Sequence, residues 1–187
     1  EKVHGVLMFR PLPGHLDDEA ARAALDPKKD MDGITDGSMT AVYAGTKGGY
    51  PPCTAAACVA LLKHYNIPIK GKRVVVIGRS LVIGKPVSLL LLAEHATVTI
   101  CHSRSENLPD ICREADILVV AAGKAGMVVL DVGTHVGADG NLCGDTRFAE
   151  VEPVVEAITP VPGGVGTVTS TILASHVVEA AERAANQ

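Results

Sequence analysis

The clearest candidate for chemistry in the sequence is a glycine-containing segment that follows an apolar run. Residues 78–86 read Gly-Arg-Ser-Leu-Val-Ile-Gly-Lys-Pro, and residues 73–77 before them are mostly β-branched. Where a buried strand turns at glycine into a helix, the free N–H groups of the helix start bind phosphate. Arg79 and Ser80 stand where the usual Gly-x-Gly-x-x-Gly pattern has its second glycine. The segment therefore indicates a nucleotide site, and a strand–helix turn without a ligand is the alternative interpretation.

Polar side chains also follow the next predicted strand, residues 97–100. NAD-binding folds place an acidic residue about 20 positions after the glycines, where it binds the ribose 2′-hydroxyl. This sequence has Ser103 and Arg104 there instead, and Arg79 approaches from the first turn. Hydroxyl and guanidinium groups bind a 2′-phosphate, which a carboxylate would repel. The pattern favours NADP over NAD; the alternative is that both arginines are solvated surface residues.

Three further segments present candidate ligand-binding groups. Residues 131–135 close the fourth predicted strand, so Thr134 could meet the nicotinamide end of a cofactor through its backbone. Residues 159–167 combine two prolines with three glycines, which favours a wall that contacts a ligand over a plain linker. Asp32, which precedes Gly33, could offer a carboxylate to a polar substrate ring. An ordinary strand end and a solvated loop remain the alternatives for Thr134 and Asp32.

Alternating strands and helices position these segments. Apolar runs and their boundaries predict such elements at residues 73–77, 86–93, 97–100, 107–113, 117–121 and 128–132. This alternation predicts an α/β fold with a Rossmann-type unit over about residues 70–160.

The flanking regions are less regular. We expect helices at residues 17–25 and 54–65, and a loop at residues 26–46, which are rich in Asp, Gly and Thr. A final amphipathic helix is predicted at residues 169–185. Its inward-facing residues are predicted to be Ile172, Leu173, Val177 and Val178.

The connection between the third and fourth strands is unusually short. Only residues 123–127 separate them, whereas a parallel crossover needs about a dozen residues. Either the fourth strand is antiparallel, or residues are absent between Gly126 and Val129. The second interpretation is favoured, and it predicts a break in the chain there. Because residues 1–9 read as the end of a strand, we also expect that the sequence begins within a domain.

The composition excludes several classes of protein. The 187 residues carry a formal net charge of −4, and aromatic residues make up 3% with no Trp, which argues against a nucleic-acid surface. No apolar run reaches the roughly 20 residues that span a bilayer. Five cysteines without a Cys-x-x-Cys pair predict interior positions in a reducing cytoplasm, not a disulfide framework. The histidines show no metal-binding spacing, so no metal site is predicted; surface or helix-end positions are expected for His4, His15, His64, His95 and His176.

Taken together, these motifs resemble the bifunctional methylenetetrahydrofolate dehydrogenase/methenyltetrahydrofolate cyclohydrolase family. The matching pieces occur in the family's order and cover nearly the whole chain. They are residues 30–33, 52–54, 78–80, 82–86, 97–104, 131–133 and 158–166.

The resemblance implies oxidation of 5,10-methylenetetrahydrofolate with NADP, and then hydrolysis of the methenyl product to 10-formyltetrahydrofolate. It also implies a cytoplasmic homodimer in which each chain has two domains. A folate domain would comprise residues 1–68 and be completed by a C-terminal helix at 166–187. A Rossmann NADP-binding domain would comprise residues 69–165.

The resemblance further implies the roles of individual residues. Gly78, Arg79, Ser80, Ser103 and Thr134 would line the cofactor. Asp32 would be the catalytic carboxylate and would hold the pterin ring. The remaining folate contacts would come from Met8, Phe9, Arg10, Pro162, Gly163, Gly164, Val165 and Gly166.

The sequence departs from the family pattern at residues 8–10. The family usually has Val-Gln-Leu where this chain has Met-Phe-Arg, and that glutamine normally hydrogen-bonds a catalytic lysine that lies upstream of the printed residues. Phe9 cannot make this bond, so we expect the hydrolysis step to be weakened or absent while the dehydrogenase step survives. A nucleotide-binding module without catalysis, and a dehydrogenase of amino or hydroxy acids, are the competing hypotheses.

Overall fold

The computed structural model describes residues 3–119, 127–137 and 140–186. Its central feature is a five-stranded parallel sheet in the order β2-β1-β3-β4-β7. The strands are β1 (Arg73–Ile77), β2 (Thr97–Cys101), β3 (Ile117–Val119), β4 (Val128–Leu130) and β7 (Ala157–Ile158). A separate antiparallel pair is formed by β5 (His135–Val136) and β6 (Leu142–Cys143). The predicted α/β class is thereby confirmed.

Strand β1 is buried because it has a neighbour on each edge and is covered on both faces. Val74, Val75 and Val76 are at most 4% exposed. β1 pairs in parallel with β2 on one side and β3 on the other. Continuous β-branched runs are typical of such strands. The strand order runs from β1 to β2 on one side and from β1 to β3 on the other, so it reverses between β1 and β3. In open parallel sheets, ligands bind at the carboxyl ends of the strands beside such a reversal.

The short connection between the third and fourth strands joins parallel partners. β3 pairs with β4 in parallel, with Ile117 opposite Val128 and Val119 opposite Leu130. The antiparallel alternative is therefore wrong. Residues 120–126 lie outside the described part of the chain. The predicted end of the third strand at Ala121 is among them, and the predicted break between Gly126 and Val129 starts there.

Helices alternate with the strands of the sheet. Helix α3 (Cys53–His64) precedes β1, while α4 (Gly84–Ala93) and α5 (Leu108–Arg113) follow β1 and β2, all as the sequence predicts. The short α6 (Phe148–Val151) and the 3₁₀ turn Glu152–Val154 precede β7 and were not predicted. One core cluster joins sheet and helix residues, among them Val75, Cys101, Cys112, Leu118 and Val129. Four of the five cysteines are buried in the structure, and Cys143 is exposed.

By its contacts the chain divides into two compact units. The first unit comprises Glu1–Cys53 and Ser170–Gln187, and the second comprises Thr54–Thr169. The domain boundaries after residues 68 and 165 stay a prediction. None of the described helices is long and apolar enough to cross a membrane.

The first unit contains more helix than the sequence predicts. Besides α1 (Asp18–Ala24), the segment expected to be a loop at 26–46 contains a 3₁₀ turn and the helix α2 (Asp36–Ala44). Its N-cap Thr35 accepts a hydrogen bond from the Ser38 N–H at 3.1 Å. The buried Asp30 carboxylate accepts from the Thr35 N–H at 2.8 Å. This capping network stabilises a helix whose first residues have low helix propensity.

The C-terminal helix α7 (Val165–Ala185) buries a different face from the predicted one. Val177 and Val178 are 48% and 58% exposed, so their predicted inward position is wrong. The buried residues are His176 and Ala180, with Leu173 packed beside Ala180, so the predicted surface or helix-end position of His176 is also wrong. Positions 173, 176 and 180 share one helix face. Selecting only apolar residues missed this face because its central residue is histidine.

Candidate functional site

The turn after β1 leaves open space beside its backbone. Gly78 has φ of +121°, and a Cβ atom there would have no neighbour within 4 Å. The Gly78 N–H donates to the Cys101 carbonyl at 2.8 Å, which ties the ends of β1 and β2 together. A ligand can therefore approach this backbone closely, as the glycine predicts.

The start of α4 closes onto this turn. A Cβ atom at Gly84 would lie 2.2 Å from the Gly78 carbonyl oxygen, so only glycine fits. The Ser80 Oγ accepts hydrogen bonds from the N–H groups of Ile83 at 3.0 Å and Gly84 at 3.3 Å. The Lys85 N–H donates to the Ser80 carbonyl, and the Val87 N–H to that of Ile83.

These bonds correct one expectation about phosphate binding. The N–H groups at the start of α4 are not free, because Ser80 and Ile83 accept from them. The turn that precedes the helix is exposed at Arg79, Ser80 and Leu81. The Ser80 hydroxyl keeps its hydrogen available to donate, since both of its observed bonds are accepted ones. The helix start therefore offers no free N–H group, and the turn residues are the remaining candidate donors for an anion.

The structure brings Arg79 and Ser103 to neighbouring strand ends. Ile77 of β1 pairs with Cys101 of β2. Arg79 lies two residues after Ile77, and Ser103 lies two residues after Cys101. Adjacent strands lie about 4.8 Å apart. Both side chains are exposed, as is Arg104. The loop that carries Ser103 is fixed by the His102 N–H, which donates to the Ser105 Oγ at 2.9 Å.

Thr134 lies beyond β4 and is exposed. Since β3 separates β4 from β1, Thr134 follows a strand about 10 Å from the Gly78 turn. The preceding Asp131 is buried, and its carboxylate accepts from Asp145 N–H at 2.9 Å and Thr146 Oγ1 at 2.6 Å. These bonds fix the strand end from which Thr134 extends.

The proline–glycine loop after β7 borders a cavity of about 600 Å³ within the second unit. Gly163 has φ of +101°, and a Cβ atom at Gly164 would lie 2.3 Å from the Pro160 carbonyl oxygen. Thr159 Oγ1 accepts from the Asp131 N–H at 2.8 Å, which joins the loop to the end of β4. Pro160, Gly163 and Gly164 line the cavity, whereas Pro162, Val165 and Gly166 are not among its lining residues.

Asp32 is held by the start of α3 within the first unit. Its Oδ1 accepts from the Cys53 N–H at 3.1 Å, and the residue is half-buried. The next residue, Gly33, has φ of +62°, and a Cβ atom there would lie 2.4 Å from the Tyr50 carbonyl oxygen. The Oδ2 atom has no hydrogen-bond donor among the described residues. One carboxylate oxygen is thus positioned by the protein while the other is available to a ligand.

Cys53 and His176 meet beside Asp32. The Cys53 Sγ donates to the Met31 carbonyl at 3.2 Å, and the His176 Nδ1 lies 2.8 Å from the same oxygen. Burial, together with the charge of Asp32, raises the pKa of the Cys53 thiol to about 12. The thiol therefore stays protonated at neutral pH and is not a nucleophile.

Comparison with known proteins decides which family this geometry belongs to. Residues 52–185 match the family model for the NAD(P)-binding domain of tetrahydrofolate dehydrogenase/cyclohydrolase. The bifunctional protein FolD of Carboxydothermus hydrogenoformans is 55% identical over 96% of this chain and 67% of its own length. The chain belongs to the tetrahydrofolate dehydrogenase/cyclohydrolase family. The predicted family is confirmed.

Solved structures of this family superpose closely on the chain. The FolD dehydrogenase/cyclohydrolase of Campylobacter jejuni has a TM-score of 0.92 and 36% identity, covering 96% of this chain and 67% of its own. The Trypanosoma brucei enzyme, solved with NADP and an inhibitor, has a TM-score of 0.89 and 36% identity, covering 98% and 68%. The chain spans about two thirds of the length of these relatives.

The segment that departs from the family pattern is exposed. The Phe9 side chain is 82% exposed, and Met8 is half-buried. The Arg10 guanidinium donates to both Asp18 carboxylate oxygens, at 2.7 and 2.8 Å, and this hydrogen bonding lowers the pKa of Asp18. The Arg10 charge is therefore paired with Asp18 at the start of α1, which weakens its effect on any neighbouring ionisable group.

Three buried polar residues of the first unit were not predicted from the sequence of this tetrahydrofolate dehydrogenase/cyclohydrolase family member. They are Asp30, Cys53 and His176, all buried. The 173–176–180 helical spacing was the available signal for His176. No comparable signal marks Asp30, because a buried aspartate and a solvated loop aspartate look alike in a sequence.

Proposed function

We propose that the chain is an NADP-linked dehydrogenase that oxidises 5,10-methylenetetrahydrofolate to 5,10-methenyltetrahydrofolate in one-carbon metabolism. The observation that carries this proposal is the pair of neighbouring strand ends that present an open glycine turn with exposed Arg79 and Ser103. A pyrophosphate is proposed to lie against the open turn, and the guanidinium and hydroxyl groups suit a 2′-phosphate.

The residues of the second unit fit NADP better than NAD. Residues 101–105 contain no carboxylate, which would otherwise bind a free 2′-hydroxyl and repel a phosphate. Gly78 gives the dinucleotide close access to backbone, and Ser80 offers a hydroxyl donor. Thr134 is proposed to contact the nicotinamide end. NADP supplies the hydride acceptor when it is bound.

The folate is proposed to be bound by Asp32 and its neighbours in the first unit. Asp32 accepts hydrogen bonds from the pterin ring through Oδ2 while the Cys53 N–H holds Oδ1. Met8, Phe9 and Arg10 are the further substrate contacts proposed in the first unit, and residues 162–166 stay a separate prediction. Hydride transfer depends mainly on the relative position of two bound molecules, which is what such fixed groups provide.

A direct assay tests the dehydrogenase. The purified chain, given NADP and 5,10-methylenetetrahydrofolate, is expected to produce NADPH, and to produce none when a hydroxy acid or an amino acid replaces the folate. A nucleotide-binding module without catalysis would bind NADP and produce no NADPH with any of these compounds. That result would overturn the proposed function.

Replacing Ser103 with aspartate is expected to raise the KM for NADP at least about tenfold and to leave the KM for NAD within about threefold. The substitution removes a hydrogen bond to a charged group, which contributes about 1.5–3 kcal/mol, and adds a repelling carboxylate. Steady-state kinetics with both cofactors measure the effect. Ser175→Asp, an exposed serine on α7, is the matched control. An equal rise in both KM values would contradict the 2′-phosphate assignment.

Hydrolysis of the methenyl product is a second candidate activity, since the curated relatives are named bifunctional. We expect it to be weak here, because the exposed Phe9 ring can neither donate nor accept the hydrogen bond that the family's glutamine makes. Phe9→Gln is expected to accelerate the decay of methenyltetrahydrofolate, and Phe9→Leu is not. A large acceleration by the unsubstituted chain would refute this expectation.

The chain is also proposed to act as a cytoplasmic homodimer. Strand β2 is at an edge of the described sheet, and beside it lies a cavity of about 310 Å³ lined by Leu92, Val98 and Ile100 among others. Leu92 and Ile100 are 58% and 43% exposed. An exposed apolar patch next to an unpaired strand edge favours contact with a second copy. Light scattering of the purified chain would contradict the dimer if it gave the monomer mass at micromolar concentration.

A further inference from the structure

We infer that His176 is a positioning residue, which fixes the Asp32 carboxylate by holding the peptide bond between Met31 and Asp32. The inference rests on the proposed function of Asp32 in folate binding. His176 comes from the C-terminal helix, 144 positions after Asp32 along the chain, and both residues belong to the first unit. It does not touch the substrate in this assignment, because it acts through the backbone.

The hydrogen bonds around Met31 determine the state of the imidazole. A carbonyl oxygen can only accept, so the His176 Nδ1, at 2.8 Å from the Met31 oxygen, carries a proton and donates it. The Cys53 Sγ–H donates to the same oxygen at 3.2 Å. The distance of 3.6 Å between Nδ1 and Sγ then separates two donors that share one acceptor. Both lone pairs of the Met31 carbonyl are thereby used.

The imidazole ring is itself held in place. His176 is 7% exposed, and its ring centroid lies 4.7 Å from that of the buried Tyr50. The Tyr50 backbone is in close contact with Gly33, the residue after Asp32. The histidine therefore cannot rotate away without disturbing the segment that carries the carboxylate.

Asp32 is consequently fixed from two directions. His176 and the Cys53 thiol hold the carbonyl on its N-terminal side, and the Cys53 N–H holds Oδ1. Without the donor at position 176, the Met31 carbonyl loses the shorter of its two bonds inside the protein. The peptide can then rotate, and the direction of Oδ2 towards a ligand is no longer defined. The proposed cofactor residues all lie in the second unit, so cofactor binding should be unaffected.

Two substitutions separate the lost donor from the lost ring. In His176→Asn the side-chain amide N–H occupies the position of Nδ1–H, so the bond to Met31 is retained. In His176→Leu a side chain of similar size has no donor. Ser175→Ala, at an exposed position on the same helix, is the control. If His176→Leu fails to fold, His176→Gln replaces it, because its longer side chain places the amide beyond the Met31 carbonyl.

The expected readouts are the KM for each substrate and the hydrogen exchange of the Cys53 amide in the full chain. His176→Leu should raise the KM for methylenetetrahydrofolate about tenfold, leave the KM for NADP unchanged, and accelerate exchange of the Cys53 amide. His176→Asn should stay within about twofold of the parent in all three.

Equal impairment by asparagine and leucine, or no effect of leucine on folate KM and amide exchange, would overturn the inference. If the unsubstituted chain produces no NADPH, the proposed function fails. Amide exchange still decides the role of His176 in that case, because it requires no turnover.

Discussion

Replacing Gly84 with alanine is expected to raise the dissociation constant for NADP at least about tenfold and to lower the melting temperature. The added Cβ would lie 2.2 Å from the Gly78 carbonyl oxygen, 2.5 Å from its carbonyl carbon and 2.8 Å from the Arg79 nitrogen. All three are backbone atoms, so no side-chain rotation relieves the contact. The turn itself must move, and the turn carries the proposed cofactor contacts Gly78, Arg79 and Ser80.

The size of the effect follows from the cost of inserting a methyl group into a packed site. Overpacking costs about 1–3 kcal/mol, and backbone contacts at this distance belong to the upper end. For a chain of this size each kcal/mol lowers the melting temperature by about 2–4 °C, so a decrease of roughly 6–12 °C is expected. Calorimetry of the unliganded chain and titration with NADP measure the two effects separately.

Gly14 provides the matched control for this substitution. A Cβ atom there would have no neighbour within 4 Å, and its φ is not in the left-handed region. Gly14→Ala should therefore leave both the melting temperature and NADP affinity nearly unchanged. A Gly84→Ala protein with the parent's NADP affinity would show that the glycine turn does not form the cofactor site.

The parts of the fold that the sequence predicts are those set by apolar periodicity. The β-branched run at residues 73–77 has only one environment that suits it, a strand covered on both faces. The predicted helices at 54–65 and 86–93 agree with α3 and α4 to within two residues at each end. The sequence also placed Gly78 at a strand end, which the structure shows with positive φ.

Two of the missed features, helix α2 and the inward position of His176, depend on polar groups that become buried in the fold. Helix α2 begins where the Thr35 hydroxyl accepts from the Ser38 N–H, and the buried Asp30 fixes Thr35 itself by accepting from its N–H. His176 is buried because a carbonyl from residue 31 accepts its proton. Local spacing does not reveal such contacts, because Ser, Thr, Asp and His also occur in solvated loops. The start of α4 has no free donors because Ser80, a predicted ligand contact, accepts from the Gly84 N–H with its hydroxyl and from the Lys85 N–H with its carbonyl, and the Ile83 carbonyl accepts from Val87.

Replacing Asp32 with asparagine is expected to lower kcat/KM for methylenetetrahydrofolate about 10- to 100-fold while the melting temperature changes little. A hydrogen bond to a charged group contributes about 1.5–3 kcal/mol, which corresponds to this range. The asparagine Oδ1 can still accept from the Cys53 N–H, so the start of α3 stays capped. Only the free Oδ2 is replaced, by an amide that donates where the pterin requires an acceptor.

The controls for this prediction separate binding chemistry from folding. Asp110→Asn, which changes an exposed aspartate paired with Arg113, should leave folate kinetics unchanged. Asp32→Ala removes both oxygens and should lower stability as well as activity, because the Cys53 N–H loses its acceptor. A carboxylate that acts only as a helix cap would leave the asparagine variant with the parent's folate kinetics, because its Oδ1 still accepts from the Cys53 N–H. A decrease in kcat/KM that is confined to the folate and leaves the KM for NADP unchanged would instead identify Oδ2 as a substrate contact, because the cap survives in the asparagine variant.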